Sequence, residues 1–171
     1  MFSNILFSAF SCAIAGAIAK ICDDFEDRHL KVAPLLAFFL SLLYGFILGM
    51  LSAYTILASL FLAIAIANIL AQKIDGIHLV GLCSFSAVII FFGLYSFNPW
   101  IFCILLFCAI FDELELRNPK LLSFISENRL CVPFGALITS LYMQDPIFFV
   151  SIISFDIFYK TADHIISKKL D

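Results

Sequence analysis

From Val32 to Gln72 the chain runs for 41 residues without a formal charge. At a rise of about 1.5 Å per residue this is about 61 Å of helix, twice the roughly 30 Å hydrocarbon core of a bilayer, so it fits two crossings joined near Gly49, Ser52 and Tyr54. A small soluble domain, with its high surface-to-volume ratio, cannot bury such a run. The rest of the chain is like it: 63% of 171 residues are hydrophobic and only 13% charged, with 21 Phe, where soluble domains are about half apolar and about a quarter charged. A soluble enzyme, a disordered tail and a collagen-like or Gly/Ser-rich polymer are thereby excluded. The net charge of −3 speaks against nucleic acid as a partner, because phosphate binding needs a concentrated basic surface. The expected fold class is all-α, a polytopic transmembrane helix bundle forming one integral membrane domain in the lipid bilayer.

The other uncharged stretches count the crossings. Phe2 to Ala19 makes one. The 36 residues between Asp75 and Asp112 are divided by Ser96-Phe97-Asn98-Pro99, a turn signal. Leu130 to Tyr159 is cut by Gln144-Asp145-Pro146 into two short pieces. Seven spans result, near 3–20, 33–50, 54–72, 78–95, 99–113, 130–143 and 146–161. The loops at 51–53, 96–98 and 144–145 and the N-terminus then share a side without Lys or Arg. All ten basic residues, from Lys20 and Arg28 to Lys168 and Lys169, lie at or beyond span ends on the opposite side. The positive-inside rule makes that side the cytoplasm, with the N-terminus out and the C-terminus in, in the cell membrane. Ala17-Ile18-Ala19 before Lys20 has the small residues of a signal-peptidase site, but nothing basic precedes the apolar run, so the segment is read as a retained helix. The six cysteines form no CxxC pair and read as small apolar residues rather than metal ligands.

Polar information concentrates at the cytoplasmic ends of the odd-numbered spans. After the first come Lys20, Asp23, Asp24, Glu26 and Asp27, of which Lys20, Asp23, Asp24 and Asp27 share one face at helical spacing i, i+3, i+4, i+7. Four acids within five residues call for hydration or a cation, and Mg²⁺ suits carboxylates that leave room for water and phosphate oxygens; a solvated loop at the membrane surface is the plainer reading. After the third come Asn68, Gln72, Lys73 and Asp75, whose i, i+4, i+7 spacing of Asn68, Gln72 and Asp75 predicts a polar stripe climbing one helix face, with Lys73 placed to meet an anion. His78 reads as a structural interface residue. The fifth span ends in Asp112-Glu113-Leu114-Glu115-Leu116-Arg117, before a loop whose Leu121, Leu122, Phe124 and Ile125 suggest an interfacial helix; Arg117, Lys120 and Arg129 suit lipid headgroups or a diphosphate. The seventh carries Asp156, the most membrane-embedded carboxylate, one turn before Lys160, with Asp163 and His164 beyond. An intramembrane carboxylate marks a candidate functional site. Gathered in one bowl beneath a Phe-rich interior, these groups suit an amphiphile: acids for Mg²⁺, bases for a diphosphate, and an apolar bundle for an isoprenoid or acyl tail.

Two acidic clusters four spans apart, Asp23-Asp24-Phe25-Glu26-Asp27-Arg28 and Asp112-Glu113-Leu114-Glu115-Leu116-Arg117, resemble the aspartate-rich motifs of the UbiA-type intramembrane prenyltransferases. The first motif of that family, broadly N-D-x-x-D-x-x-x-D, aligns with Asp23 and Glu26 or with Asp24 and Asp27, and in either register Lys31 or Leu30 replaces the third Asp. In the second, D-x-x-x-D before a basic residue, Asp112 and Arg117 fit, while Leu116 stands in place of the second Asp, leaving Glu113 or Glu115 to compensate. The chain is also shorter than members of that family. The resemblance implies an all-helical prenyltransferase-like enzyme using Mg²⁺. Asp23, Asp24, Asp27, Asp112, Glu113 and Glu115 would hold the metal, with Asp156 as a further catalytic carboxylate. Asn68, Gln72, Lys73, Arg117 and Lys160 would bind a prenyl or lipid diphosphate. Two readings from other classes stand beside it: a small transporter or carrier whose pathway is lined by Asp156, Lys160, Asn68 and Gln72, and a non-catalytic membrane subunit that docks a cytoplasmic partner.

Overall fold

The computed structural model of the chain describes residues 2–27, 33–114 and 129–170. Among them are seven α-helices and no strand: α1 (Phe2–Asp27), α2 (Pro34–Tyr54), α3 (Ala58–Leu70), α4 (Gly76–Phe92), α5 (Pro99–Glu113), α6 (Cys131–Met143) and α7 (Ile147–Leu170). The sequence explains where they start and stop. Asn98 accepts hydrogen bonds from the Trp100 and Ile101 amides, with Pro99 in the first turn of α5. Asp75 accepts from the His78 amide at the start of α4, and Asp145 from the Ile147 amide before α7. These are short side chains satisfying amides that have no partner inside the helix. Gly93 ends α4 at φ 75°, a left-handed conformation that costs glycine little.

α2 runs through the expected 51–53 loop to Tyr54, and α7 continues past 161 to Leu170; two further differences from the sequence expectation bear on the site. First, α1 continues for two turns beyond Lys20 as far as Asp27, so the acidic cluster has the helical spacing and is no surface loop, yet Asp23 and Asp24 part to different neighbours instead of acting together. Second, α3 stops at Leu70 and Gln72 turns left-handed at φ 55°. The expected stripe of Asn68, Gln72 and Asp75 therefore does not form; Gln72 is exposed and Asp75 belongs to the next helix. The interfacial helix expected around Leu121–Ile125 lies outside the described residues.

Two helices, α1 and α2, are long and apolar enough to cross a membrane by length and composition. α3 and α6 have 13 residues each, about 20 Å at the helical rise, less than a full hydrocarbon core.

Helices distant in sequence pack as parallel pairs: α1 with α7, α2 with α4, and α3 with α5, while α1 also meets α2 and α6 joins α5 to α7. The pairs close where side chains vanish. A Cβ on Gly45 would come within 2.0 Å of the Gly81 carbonyl oxygen, and one on Gly16 within 2.3 Å of the Phe155 carbonyl oxygen. Such contact of backbone with backbone is available only to glycine, and it is the packing that small residues give to helices in apolar surroundings. Across the α2–α4 seam the Ser41 hydroxyl donates to the Ile77 carbonyl and the Ser84 hydroxyl to that of Leu42. Phe148, Leu51, Leu57, Leu60 and Leu105 fill the core, along with many Ala and Ser residues. Phe7, Phe10, Phe91, Phe107 and Leu141 face outward.

Consecutive helices alternate in direction, so the bundle has two chemically distinct ends. At one, the Ser59 hydroxyl and the Asn98 backbone bond one another and Tyr95 N–H meets the Ser52 carbonyl. At the other, the charged residues of α1, α5 and α7 meet those of the α3–α4 connection, His78 of α4 and Arg129 before α6.

Candidate functional site

At the charged end a cavity of about 220 Å³ opens among α1, α2, α3, α4 and α7. Its deeper wall is apolar, built from Phe61, Phe85, Ile152 and Phe155; its polar part comes from Asp23, Tyr44, Asn68, Lys73, His78, Arg129 and Tyr159. The helical continuation of α1 is what carries Asp23 into it.

Asp23 is the hub. One carboxylate oxygen accepts from His78 Nε2 and the other from the Tyr159 hydroxyl, while His78 Nδ1 meets the Tyr44 hydroxyl at 2.7 Å. With Nε2–H donating to the carboxylate, Nδ1 accepts the Tyr44 proton in the neutral ring and donates to the Tyr44 oxygen in the protonated one, so both charge states keep the same two contacts. Four side chains from α1, α2, α4 and α7 are thereby joined in a chain along the cavity wall. His78 owes its place to its position near the N-terminus of α4, where Asp75 caps the helix, and to the glycine seam that brings α2 within reach.

Asp24, one residue on, points elsewhere because successive helical residues diverge by about 100°. It is fully buried against Lys20, Nζ to Oδ1 2.9 Å, and Lys20 also reaches Asp163 on α7 at 3.2 Å. The Lys20 ammonium lies 5.3 Å from the Tyr159 ring centroid, a cation–π distance. A third group lies beside the cavity rim: Glu113 bonds Lys73 at 3.2 Å and Arg129 at 3.5 Å. Asp112 does something different. Both its oxygens accept backbone amides at the start of α6, Cys131 N–H at 2.9 Å and Val132 N–H at 2.7 Å, which makes it a helix cap supplied by another helix.

Of the residues singled out from sequence, the structure thus brings Asp23, Asn68 and Lys73 to one cavity. Asp24, Asp112 and Glu113 lie in separate polar contacts around it. Asp156 is half-buried and Lys160 exposed on α7, and neither lines the cavity; Gln72 does not line it either. Asp27 closes α1, its side chain undescribed, and Glu115 and Arg117 lie outside the described residues. The Mg²⁺ expectation finds no matching donor set among the described residues: no three His, Cys, Asp or Glu side chains converge on one point. The reason is visible in the bonds. Asp23 is held by His78 and Tyr159, Asp24 and Glu113 by cations, and Asp112 by amides, so each of these carboxylates already has a partner that makes its charge tolerable at depth.

Sequence reasoning missed Tyr44, Tyr159 and the role of His78. Each is a single polar residue in an apolar helical stretch, a signal that burial leaves ambiguous; His78 stands near the start of α4 and Tyr159 beside Lys160, whereas Tyr44 lies nearly three turns inside α2 with no charge near it in sequence.

Comparison with protein-family models, with curated proteins and with solved structures gives no match to the chain.

Proposed function

We propose that the chain is a multi-pass protein of the cell membrane, N-terminus outside and C-terminus in the cytoplasm, that takes the anionic head of an amphiphile into the cavity at its cytoplasmic end. The ligand class is a phosphate or diphosphate carried on an apolar chain, such as an isoprenoid. The observation that carries this reading is the division of the cavity wall: Phe61, Phe85, Ile152 and Phe155 on one part, Lys73 and Arg129 on another. An apolar pocket with a few convergent polar groups is the usual form of a small-molecule site, and two cations at its rim select a negative head.

Two features support the membrane placement. Large side chains such as Phe7, Phe91 and Phe107 face out while Ala, Ser and Gly face in, the arrangement expected where the surroundings are as apolar as the core. The exposed Tyr54, Tyr95, Trp100 and Tyr142 flank the loops at the uncharged end, where amphipathic rings suit a lipid–water boundary. The remaining tyrosines, Tyr44 and Tyr159, turn into the cavity instead. The shorter helices span by local thinning of the bilayer, a modest cost per ångström.

Prenyl transfer is left outside the proposal, because the described carboxylates that would ionise a diphosphate through Mg²⁺ are committed to other partners. The test is binding of farnesyl diphosphate to the full chain in nanodiscs, read by native mass spectrometry and calorimetry, with inorganic diphosphate and farnesol as half-ligands. Saturable binding of the whole amphiphile, weakened in K73Q and R129Q and much weaker for either half, supports the reading. Equal binding by empty nanodiscs, or by farnesol alone, overturns it.

A further inference from the structure

Lys73 and Arg129 line the cavity, yet both already hold an anion. Glu113 Oε2 lies 3.2 Å from Lys73 Nζ and Glu113 Oε1 lies 3.5 Å from Arg129 Nη2, so the carboxylate bridges a cation from the α3–α4 connection and one from the segment before α6. The exposures are unequal: the Glu113 side chain is 8% exposed, against 39% for Lys73 and 59% for Arg129. The cations can turn toward solvent or ligand, while the carboxylate stays in a place that only their charge makes tolerable. A carboxylate and a phosphate offer pairs of oxygens at similar spacing, and both are matched by Lys and Arg donors. The bridge between Lys73 and Arg129 is therefore the one a ligand's phosphate would make.

We infer that Glu113 is a built-in competitor for the anion-binding cations of the cavity, limiting affinity for phosphorylated amphiphiles so that the bound head can be released. This rests on the amphiphile-binding reading above. A phosphate approaching Lys73 and Arg129 must share them with Glu113 and meets its charge in surroundings of low dielectric, where like charges a few ångströms apart repel strongly. The Lys ammonium has three donors and the guanidinium five, so sharing is geometrically open and electrostatics sets the cost. Removing the carboxylate's charge while keeping its shape should leave the cations in place and free for the ligand.

The experiment measures farnesyl diphosphate binding to the full chain in nanodiscs for the wild type, Glu113→Gln, Glu113→Asp and the charge-balanced double variant Glu113→Gln/Lys73→Gln, with inorganic diphosphate as the arm that separates free phosphate from a lipid head. Glu113→Gln is expected to bind about tenfold more tightly, with a steeper loss of affinity as salt is raised. Glu113→Asp, which withdraws the carboxylate by one methylene, should tighten binding more modestly, and it tests the same point should the Gln variant fold poorly. The double variant should bind less tightly than Glu113→Gln alone, because it gives up one of the two cations that loss of the carboxylate's charge sets free. Unchanged or weaker binding in a folded Glu113→Gln or Glu113→Asp protein overturns the inference and makes Glu113 a strut that positions the cations, while wild-type binding leaves the amphiphile reading standing. No binding by the wild type removes both.

Discussion

Replacing Gly45 with Ala tests whether the glycine seam between α2 and α4 assembles the cavity wall. A Cβ at position 45 would sit 2.0 Å from the Gly81 carbonyl oxygen, and ordinary contact begins at 3.4 Å, so the two helices must separate by about 1.4 Å. The atom in the way is backbone and cannot rotate aside. That displacement acts on bonds just over one turn away or nearer: Ser41 to the Ile77 carbonyl, Ser84 to the Leu42 carbonyl at 2.9 Å, and Tyr44 to His78 at 2.7 Å. Lengthened by about 1 Å, each falls outside hydrogen-bonding range. Interhelical hydrogen bonds in membranes average about 0.6 kcal/mol, and overpacking adds about 1–3 kcal/mol, so with three bonds lost the expected loss is about 3–5 kcal/mol. The assay is reversible unfolding in mixed micelles with SDS, together with the nitrogen resonances of ¹⁵N-labelled His78, which report whether Nδ1 still has its phenol partner. Gly76→Ala is the control, because its Cβ would meet only the end of the Glu26 side chain at 3.3 Å. The reasoning fails if Gly45→Ala unfolds at the wild-type midpoint with unchanged His78 resonances, or if Gly76→Ala is equally damaging.

Three further outcomes are expected. Lys20→Met leaves the fully buried Asp24 without its 2.9 Å ammonium partner and should cost about 3 kcal/mol by the same unfolding assay, most of which the second change Asp24→Leu should restore, since a well-packed apolar pair can replace a buried ion pair. Asp112→Ala strips the cap from two α6 amides and should lower stability by about 1 kcal/mol, with Asp112→Asn losing less. In a cysteine-free background in intact cells, a membrane-impermeant maleimide should modify Ser96→Cys and leave Gln72→Cys untouched until the membrane is opened; the reverse pattern, or labelling of both, sinks the proposed orientation.

The helices were legible because their ends are written in residues with strong local preferences. Asn98-Pro99 and Asp145-Pro146 each begin a helix at the expected place, and an uncharged run is visible at any length. The site was legible only as a list of polar groups near helix ends. Asp23 and Asp24 look alike in sequence, yet a rotation of about 100° sends one into the cavity and the other into a buried ion pair. Asp112 and Glu113 part in the same way, one to backbone amides and one to cations. Which neighbour each acid finds depends on α1 lying beside α7 and α2 beside α4, partners far apart in the chain. Periodicity within a single helix carries no record of that choice.

The pairing also explains why the polar groups cluster at all. Parallel packing of α1 with α7, α2 with α4 and α3 with α5 places like ends together, so charges at the C-terminal ends of α1, α5 and α7 meet those of the α3–α4 connection and those near the N-terminal ends of α4 and α6. An ionisable group carried toward an apolar interior is costly alone and tolerable with a partner, and only that end offers partners. At the other end, capping by Asn98 and Asp145 needs no long-range charge. A cavity that is to hold an anion beneath apolar surroundings can therefore form at one end of this bundle, and its affinity is set by how much positive charge the acids leave uncovered. Against Lys73 and Arg129 stand Glu113 between them and Asp23 on the same wall, so the uncovered charge is about zero with a neutral His78 and about one with a protonated one.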